Sequence, residues 1–155
     1  MAKSANVTKY DAGGTGDNII ADGFIKTVEK VWIDTYTFSS SATIGVGTIV
    51  DCAKIPAGKK VTDITVWGLS PTQISATSTN AVSIGARYGS TTTTNATQFL
   101  GATTLGTVTF ENIPLRARSG IGVECTSSTH TIFLHFTGAN PSITGGTITT
   151  VVKYT

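Results

Sequence analysis

Apolar residues in this chain recur at every second position, and nowhere do they hold a helical spacing for three turns. In Val31-Trp32-Ile33-Asp34-Thr35-Tyr36-Thr37-Phe38 the rings of Trp32, Tyr36 and Phe38 share one parity, which predicts a strand with its aromatics on one face. Ile44, Val46, Val50 and Cys52 repeat at even positions and predict a second strand. Residues 61–69 predict a third, with Ile64 and Val66 on one face and Asp63, Thr65 and Trp67 on the other. Val82, Ile84, Ala86 and Tyr88 alternate with Ser83, Gly85 and Arg87 in a fourth. Further strands are predicted at 105–110, around Ile121, Val123 and Cys125, through Ile132, Leu134 and Phe136, and over 146–154.

Turn chemistry separates these segments. Ile55-Pro56-Ala57-Gly58-Lys59-Lys60 suits a tight bend, Ser70-Pro71 breaks the third strand, and Asn112-Ile113-Pro114 ends the fifth. Residues 89–98, with four consecutive threonines, read as a polar loop or a long hairpin tip. Seven or eight short strands in one body predict an all-β, antiparallel β-sandwich with little or no helix. Eight strands favour a jelly roll. An immunoglobulin-like sandwich comes second, because Cys52 and Cys125 do not bracket Trp32 or Trp67 as that fold requires.

Residues 1–23 have a different character. Asp11-Ala12-Gly13-Gly14-Thr15-Gly16-Asp17-Asn18 is too rich in glycine for a helix or strand interior, so the chain divides into an extended N-terminal arm, 1–23, and a sandwich domain, 24–155. With 155 residues, one domain is long enough to bury a core without disulfides or metals. The first residues lack the apolar run of a secretory signal, and no apolar stretch is long enough to span a bilayer. The expectation is a protein made and used without export, with no membrane partner.

Composition narrows the function. Charged residues are 13% of the chain, against about 25% in ordinary globular domains, and about one residue in five is threonine. The net charge of +2 comes from isolated side chains and forms no basic stripe, so nucleic acid is not an expected partner. A surface of hydroxyls and glycine is cheap to desolvate, which suits a subunit of an assembly.

Candidate chemistry is sparse. His130 and His135, five apart in a strand, point to opposite faces and cannot share a metal; both are expected at the surface or an edge. Asp34, Asp51, Asp63, Glu111 and Glu124 form no recognisable acid–base pair, and most are expected beside turns. The glycine-rich segment lacks the GK[ST] ending of a phosphate loop and the closing glutamate of a calcium loop. Cys52 and Cys125 lie far apart with no metal-ligand spacing; they read as small buried thiols, with a bridge open if they face one another. Arg116 with Arg118, and Lys26 with Lys30, share parity and could meet an acidic surface or simply be solvated. Trp32, Tyr36 and Trp67 would make a glycan-binding platform if exposed together, and core aromatics otherwise. No cofactor, metal or catalytic residue is expected. An arm needs something to lie on, and the residues of it expected to meet a partner are Lys3, Lys9, Tyr10, Asp11, Asp17 and Asn18.

Three phrases carry a resemblance: Asp11 to Asn18 as written above, Ala21-Asp22-Gly23-Phe24-Ile25-Lys26-Thr27-Val28-Glu29-Lys30-Val31-Trp32-Ile33-Asp34, and Ile55-Pro56-Ala57-Gly58-Lys59-Lys60-Val61-Thr62-Asp63-Ile64. Together they resemble the small head decoration, or cement, proteins of tailed bacteriophages. The resemblance implies a non-enzymatic virion protein with a sandwich or jelly-roll body, often trimeric, seated on the capsid exterior. Its partner would be the major capsid protein, and its N-terminal arm would contact the shell or a neighbouring copy.

Overall fold

The computed structural model describes residues 2–3, 29–39, 44, 47–68, 81–89, 94–104, 115–116, 119–122, 125, 128–137 and 145–155. Nine strands run through them: β1 (Ala2–Lys3), β2 (Lys30–Thr37), β3 (Ile49–Ile55), β4 (Val61–Gly68), β5 (Ala81–Tyr88), β6 (Thr94–Thr104), β7 (Leu115–Arg116), β8 (His130–Thr137) and β9 (Thr147–Tyr154). No helix occurs among the described residues.

The strands form two sheets, in the orders β1-β3-β8-β5-β6 and β2-β9-β4-β7. Setting β1 aside, the pairs β2·β9, β3·β8, β4·β7 and β5·β6 are antiparallel and nested, first with last and inward to the middle. That nesting is what rolling one long antiparallel ribbon into two layers produces, and it defines the jelly roll. β1 lies outside the scheme, paired in parallel with β3 through Ala2↔Val50 and Lys3↔Asp51.

The core lies between the sheets. From β2, β4 and β9 it takes Trp32, Val61, Ile64, Val66, Ile148, Val152 and Tyr154; from β3, β5 and β8 it takes Val50, Ile55, Val82, Ile84, Ala86, Ile132, Leu134 and Phe136. Trp32, Tyr36 and Phe38 point inward as their parity predicts, with Phe38 meeting Tyr36 and Phe136 edge to face. The predicted bend at Pro56–Gly58 is present, with Gly58 at φ 77°, a conformation that favours glycine.

Several boundaries differ from the sequence reading. The second strand starts at Ile49 rather than near Ile44, and a bulge between Asp51 and Ala53 places Cys52 as an extra residue against β8. Asn95 to Gln98 belong to β6 and not to a hairpin tip; its pairing with β5 is interrupted twice, so alternation there is lost. Around Ile121 the chain turns, and Cys125 lies outside any strand. β1 and β7, two residues each, are too short to show a period. The predicted strand at 105–110 and its stop at 112–114 lie outside the described residues.

Candidate functional site

The three rings proposed as a platform do not share a face. Trp32 is buried in the core, and Tyr36 packs partly buried against it. Only Trp67 is open, 40% exposed, on the other side of the same sheet. The reason is register: Trp67 stands opposite Thr149, whereas Trp32 stands opposite Val152, and 149 and 152 point to opposite sides of β9. A glycan platform built from Trp32, Tyr36 and Trp67 is therefore absent. Of the arm residues, Lys3 is described through its backbone pairing with Asp51; Lys9, Tyr10, Asp11, Asp17 and Asn18 lie outside the described residues.

Trp67 belongs to the outward face of its sheet instead. Register across β2, β9 and β4 sets out three rows: Val31–Lys153–Asp63, Ile33–Val151–Thr65 and Thr35–Thr149–Trp67. Ile33 is 55% exposed, so two of the three large exposed hydrophobics among the described residues, Ile33 and Trp67, lie on this face, the third being Ile121. Charge collects at one end, where Lys153 pairs with Glu29 at 3.7 Å and Thr62 donates to Glu29 Oε1 at 2.6 Å. Elsewhere hydroxyls serve one another: Thr35 and Thr149 Oγ1 are 3.3 Å apart. Phe38 N–H donates to Gly146 O, which fixes the ladder phase and turns the Thr35 N–H away from β9. Asp34 Oδ1 accepts it at 2.8 Å. A face with its polar groups already partnered loses little when water is removed.

The outward face of the other sheet is closed. Phe133, Asp51, Ser83 and Thr131 all point away from the core there, and all are buried. Phe133 lies across Gly85, where a Cβ would fall 2.6 Å from Phe133 Cζ and 2.5 Å from Asn95 O. Arg87 forms an ion pair with Asp51 across the back of β8, the two side chains being 11% and 0% exposed.

Asp34 and Asp51 are thus mid-strand and buried rather than beside turns. His130 is likewise not a surface residue. It sits on β8, which β3 and β5 flank, with its ring against Tyr88 at 4.2 Å and Nδ1 2.8 Å from Ser128 O; His135 is half-buried on the opposite face. Cys52 and Cys125 are both buried and unbridged. Burial pushes the Cys52 thiol up to about 12, the nearby Asp34 and Asp51 carboxylates add to that, and hydrogen bonds with Thr150 and the Leu134 backbone partly offset it. The described residues contain no group of three His, Cys, Asp or Glu that could hold a metal ion. What this arrangement can do is make contact: it has a face that is neutral across its central rows on β2, β9 and β4, and Asp34, Asp51, His130 and both thiols are built into the body.

No protein-family model matches the sequence, and no curated protein matches it. Solved structures do. A chain in the capsid of Ralstonia phage GP4 superposes with a TM-score of 0.63 at 12% identity, over 83% of this chain and 84% of the other. One in the capsid asymmetric unit of cyanophage Pam1 gives 0.59 at 19% identity, over 81% and 83%. One in the acidic stable capsid structure of Helicobacter pylori bacteriophage KHP30 gives 0.54 at 15% identity, over 84% and 89%. The jelly roll derived from the strand pairing is therefore a fold that this chain shares, over most of its length, with chains found in the capsids of three phages.

Proposed function

We propose that this chain is a non-enzymatic structural protein of a phage virion, which binds the outside of the capsid and stabilises contacts between major capsid protein subunits. The observation that carries the reading is the match of one fold, over at least four-fifths of the chain, to chains in three phage capsid structures. The low charge and the open neutral face support it, since both suit a protein that spends its working life against another. In this reading residues 24–155 are the body and residues 1–23 the anchoring arm, with Lys3, Lys9, Tyr10, Asp11, Asp17 and Asn18 meeting the capsid. The assembled form is a homotrimer on the capsid exterior.

The mechanism is mass action. A protein that binds the assembled shell and not its separated subunits stabilises the shell by the free energy of that binding. Many copies per particle make a modest single contact sufficient. The test is to add purified protein to shells of the encoding phage assembled without it. Co-sedimentation and a higher shell melting temperature are expected; a protein left in the supernatant at saturating concentration refutes the reading.

A further inference from the structure

We propose that the outward face of β2, β9 and β4 is the seat on the shell, and that its occupant is an uncharged, largely apolar patch of capsid protein. This rests on the virion reading above and adds to it the surface used. The two sheets differ in a way that singles this face out. Behind β8, the outward side of the other sheet already buries Phe133, Asp51, Ser83 and Thr131 within the chain itself. Behind β9, Ile33 and Trp67 stand in solvent, with Val151 half-buried between them and Val31 half-buried on the far side of Ile33.

Charge selects the chemistry of the occupant. Over the Ile33–Val151–Thr65 and Thr35–Thr149–Trp67 rows, β2, β9 and β4 contribute no ionisable side chain; at the charged end Lys153 already has Glu29, and the next charge is Arg116, in register with Thr65 on the edge strand β7. An acidic or basic partner patch would be buried there without a counter-charge, which is costly. An apolar patch meets a tryptophan and a β-branched aliphatic, the side-chain types that gain most from leaving water.

Area separates the shell from a second copy. Strands spaced about 4.8 Å apart and about 3.4 Å per residue give the three eight-residue strands β2, β9 and β4 an outline of about 400 Å². Stable protein pairs bury about 800 Å² on each partner. Two copies held by this face alone would come apart readily, whereas the trimer of the reading above presents three linked faces to a repeating lattice, so that contacts of this size hold together.

The experiment uses the full chain carrying Ile33→Glu with Trp67→Glu, and as control Ala57→Glu in the exposed bend between β3 and β4. Thermal melts confirm folding; if the glutamate pair does not fold, Ile33→Thr with Trp67→Thr keeps strand propensity and removes the apolar groups. Each protein is co-sedimented with shells of the encoding phage assembled without it, and sedimented alone. Wild type and Ala57→Glu are expected to bind, and the face variant to bind at least about tenfold more weakly with its own mass unchanged. Trp67 fluorescence, read in a Trp32→Phe background, should shift to the blue on docking. Equal binding by the face variant, with wild type bound, overturns the proposal and leaves the virion reading standing. A change in the variant's own mass overturns it by assigning the face to a second copy. Failure of wild type to bind any shell overturns the virion reading and the occupant with it.

Discussion

At the scale of single residues, much of the body rests on atoms that have no room to change. Gly85 is the sharpest case, because a methyl group there would sit 2.5 Å from Asn95 O, 2.7 Å from Ala96 Cα and 2.6 Å from Phe133 Cζ. Two of those neighbours are backbone and cannot swing aside. Gly85→Ala should therefore lower stability by about 1–3 kcal/mol in urea unfolding, and pairing it with Phe133→Leu should recover only part. Cys52 makes a different prediction. Its thiol ionises near 12 when folded and near 9.0 when free, so between those values the unfolded chain gives up a proton that the native chain keeps. Stability from this group is complete below pH 9 and falls as pH rises toward 12. The melting temperature of wild type should drop more steeply over that window than that of Cys52→Ala. Neither feature shows in the sequence by itself: Gly85 reads as an ordinary outward position, and the burial of Cys52 was legible but its place as an extra residue in a strand was not. His130 was misjudged because residue type predicts exposure, while being flanked on both sides by other strands decides it.

Individual strands explain which parts of the pattern could be read. β2 and β9 alternate cleanly, and β4, β5 and β8 set most of their large aliphatics on one parity even though the outward positions of β5 and β8 are buried too, so all five were legible within a residue or two. β6 was not, because its two irregularities against β5 break the period that would have announced it. The Ser119–Gly122 turn misled in the opposite direction, Ile121 supplying an apolar beat in a segment that is not a strand. The open face behind β9 was half visible: opposite parities of Trp32 and Trp67 within their own strands are plain, but which parity faces the core in each follows only from how the strands pair. β3 and β5 have a further tie in Asp51 and Arg87, which join the two strands over the strand between them. Removing one partner leaves the other charge buried, so Asp51→Ala or Arg87→Ala should each cost about 3–5 kcal/mol. The double replacement Asp51→Leu with Arg87→Met should cost much less than the sum, and a double-mutant cycle by chemical denaturation measures the difference.

For the whole molecule, the nested pairing makes the two ends of the chain unequal. β9 is hydrogen-bonded to β2 on one side and β4 on the other, so it holds its sheet together. Ending the chain at residue 146 should abolish cooperative folding, seen as loss of a thermal transition and insoluble expression. Deleting residues 1–22 removes β1, which contributes two residue pairs at the outer edge of β3. That truncation should keep a cooperative transition within a few degrees of wild type yet no longer co-sediment with shells; retained binding would remove the arm from the docking mechanism. Lys30 and Tyr154 stand directly opposite each other in the β2·β9 ladder, in the same phase as the bonded Phe38–Gly146 pair, which puts their Cα atoms about 5.5 Å apart. The body is in effect a closed loop whose seam lies at one corner. A peptide fused after Thr155 would emerge beside the start of β2, and a short linker from there to Lys30, with new ends opened in the Pro56–Gly58 bend, would yield the same strands read from a different starting point.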